Sequence, residues 1–292
     1  MNVTREQIIA RFTQESKGLS SAEKKNLLRE ILQETVLCHM KEVNLFDEMA
    51  FHGGTSLRLL HRIDRFSEDL DMSLLKANES FDLPTRMESL KKSLSESKIE
   101  LEFQNKCKLG NPIKVFYIND TALLNQFKDD IGGVIDGEKV KIKFELDILP
   151  PDHQEFKLAE IKSTFSAKIN AHNLETCMGQ KIHAVLCRAQ AYGMDIIKGR
   201  DLYDLEWYLS KKIKPNLKNL SACLNRIGPW QGLGLDVDHA WIVNEVSHSL
   251  KTKNFEAILA DVRPLINVKE FERLKKEWTL NYFSISIGSL SL

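Results

Sequence analysis

Four consecutive residues have the types that bind phosphate at the start of a helix, namely Gly53, Gly54, Thr55 and Ser56. Glycines let backbone N–H groups approach phosphate oxygens closely, and the positive end of the helix dipole favours their negative charge. Arg58 follows and could add a cation that suits phosphate. A Gly-Gly pair alone usually marks only a turn, so this interpretation depends on carboxylates elsewhere in the chain.

Two carboxylates, Asp69 and Asp71, stand two residues apart farther along the chain. The residues around them alternate between apolar and polar, which is the period of a half-buried strand, so both carboxylates share one face. Metal ions held by such carboxylates neutralise the charge that develops in phosphoryl and nucleotidyl transfer. A third ligand is expected from a later alternating strand, where Asp147 and Glu145 share the polar face. The pattern leaves the choice between these two residues open.

The hydrophobic periodicity indicates the elements that position these groups. It predicts helices in the first fifty residues, a short strand around Phe51, a turn at the glycines and a helix over residues 55–60. Further strands are predicted over residues 69–75, 98–103, 112–118 and 140–149. After Pro150 and Pro151 a polar connection leads to helices over residues 178–192, 200–209, 217–227, 239–250, 255–262 and 268–278. We therefore predict an α+β protein with an α/β domain and N-terminal helices over residues 1–165, and a helical domain over residues 166–292.

Length and composition indicate a globular protein. The 292 residues are 42% hydrophobic and 28% charged, and 41 basic residues balance 41 acidic ones, so nucleic-acid binding would need a local patch. The five cysteines are scattered and never form a C-x-x-C pair, which argues against a disulfide framework and a structural zinc site. The sequence contains neither an apolar run of membrane-spanning length nor a secretory signal pattern. We therefore expect a cytoplasmic protein with no membrane partner.

Two stretches of the sequence together resemble a known family. The first is FHGGTSLRLLHRIDRFSEDLDMSL, over residues 51–74, and the second is GQKIHAVLCRAQAYGMDIIKGRDLYDLEWYL, over residues 179–209. They resemble the motifs of the AbiEii/AbiGii toxin family, nucleotidyltransferase-like toxins of bacterial abortive-infection and type IV toxin–antitoxin systems within the DNA polymerase β-type nucleotidyltransferase superfamily. The resemblance implies a polymerase β-type nucleotidyltransferase lobe with a mixed sheet and a C-terminal helical lobe.

The resemblance also implies roles for individual residues. The nucleotide-binding turn of the family corresponds here to Gly53, Gly54, Thr55, Ser56 and Arg58. Asp69 and Asp71 correspond to ligands of Mg²⁺ or Mn²⁺. Lys181 corresponds to a catalytic cation that contacts the triphosphate, and Asp204, with Asp201 close by, corresponds to the last acidic motif. Asp204 could orient the lysine or act as a base towards the attacking hydroxyl. The spacing between the glycines and the first aspartate is long for the superfamily.

These residues predict a magnesium-dependent nucleotidyltransferase that uses an NTP. By resemblance, it would be a toxin that transfers a nucleoside monophosphate to RNA, with tRNA as the expected acceptor, or to a protein, and its partner would be a cognate antitoxin. A basic segment could hold an RNA backbone, although a run of lysines is more often solvated surface, and it contains Lys211, Lys212, Lys214, Lys218 and Arg226. The alternatives are a catalytically inactive nucleotidyltransferase-like binding module and a protein–protein interaction module of a defence system.

Overall fold

The structure is a computed structural model that describes residues 3–132, 138–163, 165–191 and 197–291. The chain forms two compact units. The sheet unit comprises residues 1–62, 66–150 and 157–171, and the helical unit comprises residues 63–65, 151–156 and 172–292. The chain therefore passes between the units more than once, and three residues of its N-terminal half belong to the helical unit.

Seven strands of the described residues form one sheet. In chain order they are β1 (Met49–His52), β2 (Asp69–Leu74), β3 (Glu102–Asn105), β4 (Ile113–Asp120), β5 (Val140–Asp147), β6 (Phe156–Lys162) and β7 (Ser166–His172). Across the sheet the order is β3-β4-β5-β2-β1-β7-β6. The sheet is mixed, because β2 is parallel to β5 and β1 is parallel to β7, whereas the pairs β1/β2, β3/β4 and β4/β5 are antiparallel. This order places the strand that begins at Asp69 in the middle of the sheet.

Alternation separates a buried face of β2 and β5 from a polar face. Leu70 and Met72 of β2, and Phe144 of β5, are at most 1% exposed. Asp69 and Asp71, between the apolar residues of β2, are partly exposed. Each large apolar side chain that is removed from water contributes about 1.5–3 kcal/mol, so this burial fixes which face of each strand is polar. The alternation predicted for these two strands is confirmed.

The helices of the sheet unit pack on its strands and on one another. They are α1 (Arg5–Glu15), α2 (Ser21–Glu42), α3 (Gly53–His61), α4 (Leu83–Glu96) and α5 (Ala122–Gln126). Capping boxes start α1 at Thr4 and α2 at Ser20. In each box, the side chain of the capping residue accepts a hydrogen bond from the backbone N–H three residues later, and the side chain of that later residue accepts one from the backbone N–H of the capping residue. The long helix α2 contacts β5 and α4 and is buried along most of its C-terminal half.

The helical unit consists mainly of seven helices within the described residues. They are α6 (Leu174–Ala191), α7 (Gly199–Ser210), α8 (Leu217–Arg226), α9 (His239–Leu250), α10 (Phe255–Val262), α11 (Val268–Glu277) and α12 (Leu280–Gly288). Helix α7 buries Leu202, Leu205 and Leu209, as its periodicity predicts. Across the described ranges, none of the helices has the length and apolar character needed to span a bilayer.

The structure confirms the α+β class and the mixed sheet, and it corrects several element bounds. The strand predicted over residues 98–103 lies at Glu102–Asn105. Strands β6 and β7 occupy sequence in which a polar connection and the start of the helical domain were predicted. Strand β6 lies at the edge of the sheet, and its residue Leu158 is 66% exposed. The burial of β6 therefore does not follow the order of apolar and polar residues in its sequence. The predicted helix over residues 178–192 begins at Leu174, and its predicted end at Tyr192 lies outside the described residues.

Candidate functional site

The junction between β1 and α3 brings a glycine against a carboxylate. Strand β1 ends at His52, which pairs with Asp71 of β2, and α3 begins at Gly53 with φ +77°. A β-carbon at position 53 would lie 2.8 Å from Asp71 Cγ and closer still to Asp71 Oδ2. Only glycine accepts both this left-handed backbone and this contact. The Asp71 carboxylate therefore lies at the N-terminus of α3, where the helix dipole stabilises negative charge.

The hydroxyl groups after the glycines are turned inward. Thr55 is fully buried, and its Oγ1 donates a hydrogen bond to the backbone carbonyl of Asp69. Ser56 is 3% exposed, and its Oγ donates to the carbonyl of Gly53 at 2.8 Å. These hydrogen bonds join α3 to β2 and close the first helical turn. Gly54, in the same turn, is partly exposed.

Arg58, which the sequence placed with the nucleotide-binding residues, is ion-paired within the sheet unit. Its Nε lies 2.7 Å from Glu30 Oε2, and its guanidinium lies 4.8 Å from the centre of the Phe66 ring. The ion pair with Glu30 and the contact with the Phe66 ring together hold the Arg58 side chain in place. In this arrangement Arg58 connects α3 to α2.

The register between β2 and β5 places one glutamate beside the aspartates. Asp71 pairs with Glu145, whereas Asp147 pairs with Ser73. Asp147 Oδ1 also accepts a hydrogen bond from the Leu149 N–H at 3.0 Å. Side chains at paired positions of neighbouring strands lie side by side on the same face. We use the name acidic face for Asp69, Asp71 and Glu145.

A lysine lies on the acidic face. Lys143 pairs with Asp69 in the register, and its Nζ lies 2.8 Å from Glu145 Oε2. Partial burial opposes the charged form of Lys143, but Glu145 and then Asp69 outweigh that effect and raise the pKa of the ammonium group. Within the described ranges, no three His, Cys, Asp or Glu side chains are arranged around one point as they would be to hold a metal ion.

The helical unit contains a second group of charges, here named the charge cluster and formed by Arg65, Lys181, Asp201 and Asp204. Lys181 Nζ lies 2.8 Å from Asp201 Oδ1 and 2.8 Å from Asp204 Oδ2. Arg65 holds Asp204 with two bonds, from Nε to Oδ1 and from Nη2 to Oδ2, each 2.6 Å long. Two cations thus face two carboxylates, and the formal charges cancel.

The charge cluster is buried. Asp204 is fully buried, Asp201 is 1% exposed and Arg65 is 2% exposed, while the Lys181 side chain keeps 13% of its surface. Burial alone would raise the pKa of Asp204, but Arg65 and Lys181 reverse the effect and hold that pKa below its usual range. Asp204 is therefore an ionised acceptor with its oxygens engaged, which makes it a poor general base.

Helix α7 is fixed on a second side by a separate set of contacts. The Tyr203 hydroxyl donates to Glu270 Oε1 at 2.9 Å and to the backbone carbonyl of Asp64 at 3.2 Å. Glu206, one turn later, accepts hydrogen bonds from Arg273, Trp278 and Tyr282. Asp201 and Asp204, which are also about one turn apart on α7, are therefore carried by a helix with little freedom to rotate.

A family model for "Nucleotidyl transferase AbiEii toxin, Type IV TA system" matches residues 35–277. The chain belongs to the AbiEii family. The match includes both the acidic face and the charge cluster, and the family is one of nucleotidyltransferase toxins of type IV toxin–antitoxin systems. The expectation that rested on two short motifs is thereby confirmed at the level of the family.

Two solved structures are similar to this AbiEii member over most of their length. JHP933 from Helicobacter pylori is 16% identical, with 91% of each chain covered and a TM-score of 0.48. A candidate nucleotidyltransferase from H. pylori is 17% identical, with 87% of this chain and 92% of that chain covered and a TM-score of 0.45. No curated protein matches the chain.

The sequence predicted most members of the two groups but not their full contacts. Arg65 is one of several arginines between the glycines and the aspartates whose charge suits phosphate but which the sequence favours as surface or ion-pair residues, and it is a buried ion-pair residue. For the third carboxylate, the register places Glu145, and not Asp147, beside Asp71. The basic segment is at the surface, since its four lysines are exposed and its arginine is partly exposed, and these residues are Lys211, Lys212, Lys214, Lys218 and Arg226.

Proposed function

We propose that this AbiEii member is an enzyme that transfers a nucleoside monophosphate from an NTP to a hydroxyl group of an acceptor. The acceptor oxygen bonds to the α-phosphorus and loses its proton to water, the bond from the α-phosphorus to the oxygen of the β-phosphate breaks, and pyrophosphate leaves. The observation that supports this proposal most directly is the acidic face, in which Asp71 lies against the start of α3 at Gly53 and beside Glu145. A carboxylate pair beside a helix N-terminus suits a metal-bound triphosphate.

The residues of the acidic face fit Mg²⁺ or Mn²⁺ by their chemistry. Carboxylate oxygens are the hard ligands that these ions prefer, and the glycine at position 53 leaves the Asp71 carboxylate uncrowded on that side. Asp69 and Asp71 would hold the ion, with Glu145 as a neighbour in the register and Asp147 as the other candidate for a third ligand. When bound, the ion would neutralise charge on the phosphate oxygens.

Lys181 would donate to the triphosphate. An ammonium group has three donors, and Asp201 and Asp204 account for two of them among the described residues. The third could serve a β- or γ-phosphate oxygen. Asp204 would orient the lysine and would not take the proton of the acceptor, since its pKa is lowered and both of its oxygens accept hydrogen bonds.

RNA, and tRNA first, is the acceptor that the basic segment favours. Five cations between residues 211 and 226, without an acidic residue among them, suit a phosphate backbone. Family membership supports a cognate antitoxin as a partner. A cytoplasmic site of action would give the enzyme access to NTPs and tRNA together.

The transfer reaction can be tested with the purified full chain. Each of the four NTPs, labelled on the α-phosphate, is incubated with Mg²⁺ and either total tRNA or total protein, and label in the acceptor is measured. We expect label in RNA that requires Mg²⁺ and is lost in Asp69→Ala. No transfer to either acceptor, or equal transfer by Asp69→Ala, would contradict the proposal.

An inactive nucleotide-binding module is the alternative that one observation favours, because Lys143 occupies the acidic face as a resident cation. Magnesium-dependent NTP binding without labelled product would support that alternative. A pure interaction module would instead remain toxic on expression in bacteria after replacement of Asp69, Asp71 and Lys181. The enzyme hypothesis predicts that each of these replacements abolishes toxicity.

A further inference from the structure

The charge cluster has a feature that a triphosphate site does not require. Its ammonium group is matched by two carboxylates, because Lys181 Nζ lies 2.8 Å from both Asp201 and Asp204. One lysine and two aspartates carry a net charge of −1, which would repel a polyanion such as a triphosphate. Arg65 brings the sum of the four formal charges to zero.

Arg65 is paired directly with Asp204. Its Nε and Nη2 each lie 2.6 Å from an oxygen of Asp204, in the parallel geometry that a guanidinium forms with a carboxylate. The side chain is 2% exposed, so it is not itself available to a nucleotide. Lys181 is the member of the cluster that keeps surface exposure. Arg65 therefore pairs with Asp204 from within the unit, whereas the Lys181 side chain keeps 13% of its surface.

Stability alone does not account for four buried charges. Replacing a buried ion pair with apolar residues of similar volume is often neutral or stabilising, because charges lose hydration on burial. The sheet unit shows what a purely structural pair looks like. There, Arg11 holds Glu34 at 2.6 and 3.1 Å and connects α1 to α2, and the remaining partners of that pair within the described part of the chain include Glu15 and Ser163 but no lysine.

We propose that Arg65 is a positioning residue that sets the charge around Lys181. By neutralising Asp204, it leaves one carboxylate to balance the lysine, so that the ammonium group can bind a triphosphate without an excess of negative charge beside it. This inference rests on the proposed function, since it takes Lys181 as a nucleotide contact. It assigns to Arg65 an effect on nucleotide affinity that is separable from its effect on folding.

The test compares nucleotide affinity with stability in a set of full-length variants. The variants are Arg65→Met, Arg65→Lys, Asp204→Asn and the double variant Arg65→Met/Asp204→Asn. Binding of ATP, GTP, CTP and UTP, each with Mg²⁺, is measured by titration calorimetry, and the midpoint of thermal unfolding is recorded for each protein. Arg11→Met is the matched control, because it breaks a similarly buried pair in the sheet unit.

We expect Arg65→Met to weaken binding of the preferred NTP by at least about tenfold, since one unpaired charge remains near the phosphates. Arg65→Lys keeps the charge and should bind within about threefold of the wild type, even with a lower unfolding midpoint. The double variant restores a net charge of zero and should bind the NTP more tightly than Arg65→Met does. Arg11→Met should unfold at a lower temperature without the tenfold loss of affinity.

The outcomes separate the inference from the proposed function. A wild type that binds none of the four NTPs contradicts both. If the wild type binds and the double variant binds no more tightly than Arg65→Met, Arg65 acts by structure alone and the inference is wrong, while the proposed function stands. If Arg65→Met does not fold, Arg65→Lys decides, and binding by folded Arg65→Lys that is more than about threefold weaker than by the wild type overturns the inference.

Discussion

The acidic face and the charge cluster place carboxylates in opposite surroundings. Asp69 and Asp71 lie on a partly exposed strand face, and Lys143 lies close enough to Asp69 for the two charges to interact. Asp201 and Asp204 are buried, and each contacts a cation directly. Exposed carboxylates cost little free energy to keep ionised near one another and can bind a metal ion, whereas buried carboxylates need a cation paired with them. The two groups should therefore respond differently to the loss of one charge.

The two groups are also positioned by different means. The acidic face depends on backbone features, namely the left-handed Gly53, the hydrogen bond from Thr55 to the Asp69 carbonyl and the register of β2 with β5. The members of the charge cluster hold one another. A change in the first group should therefore alter chemistry more than folding, and a change in the second should alter folding first.

The largest effect on stability is expected from Lys181→Met. This change leaves Asp201 and Asp204 buried with Arg65 as their cation, and breaking a buried pair costs about 3–5 kcal/mol of unfolding free energy. Urea denaturation of the full chain measures the loss. Asp69→Asn, its matched counterpart on the acidic face, should change the unfolding free energy by no more than about 0.5 kcal/mol. Equal effects of the two changes would remove the contrast between the groups.

The largest effect on chemistry is expected from Asp69→Asn and Asp71→Asn. Each should lower the rate of nucleotide transfer by at least about 100-fold, because the carboxylate would hold the metal ion that neutralises charge on the reacting phosphate. The unfolding midpoint should stay the same or rise slightly, since repulsion between the carboxylates decreases. Glu79→Gln, in an exposed loop, is the control and should leave the rate unchanged. A rate that survives both aspartate changes would remove the acidic face from the reaction.

Gly53→Ala tests whether the backbone positions Asp71. Both Gly53 and Gly18 have a left-handed backbone, with φ of +77° and +79°, but a β-carbon meets Asp71 at position 53 and open space at position 18. Gly18→Ala should cost about 1–2 kcal/mol from the backbone alone. Gly53→Ala should cost about 1–3 kcal/mol more from crowding and should also lower transfer. Equal costs, with transfer intact, would show that the contact with Asp71 is unimportant.

The smallest effect is a pH dependence that distinguishes two buried arginine–carboxylate pairs. Burial opposes ionisation of Asp204, but Arg65 and Lys181 lower its pKa, so its stabilising contribution is present above the ordinary aspartate range and is lost as the pH falls through the lowered pKa. Burial raises the pKa of Glu34 despite Arg11, so its contribution becomes more favourable as the pH falls through the raised value.

Unfolding midpoints between pH 3 and pH 8 measure this difference. Relative to Asp204→Asn, the wild type should keep a constant advantage from neutral pH down to about pH 4 and lose it below. The unfolding midpoint of the wild type, relative to that of Glu34→Gln, should rise as the pH falls towards the ordinary glutamate range. Parallel curves for the two variants would contradict the opposite directions of the two pKa shifts.

Much of the acidic face could be predicted from local pattern. A period of two places Asp69 and Asp71 on the face opposite Leu70 and Met72, and burial of the apolar face decides its direction. The glycines at the start of α3 could likewise be recognised. What local pattern could not supply was the neighbour of Asp71 on β5, because the polar face of β5 has both Glu145 and Asp147, and only the register with β2 shows that Glu145 lies beside Asp71.

The charge cluster shows the limit more clearly. The sequence determined that α7 is an amphipathic helix with Leu202, Leu205 and Leu209 inside, and that an acidic motif lies on it. Only the tertiary structure decided that Asp204 pairs with Arg65, which lies 139 positions earlier in the chain. Periodicity reports which face of an element is buried, but the partner of a buried charge is chosen by packing between segments that are distant in sequence. The identity of that partner matters most for the free energy of unfolding, because a buried charge that has lost its partner strongly destabilises the protein.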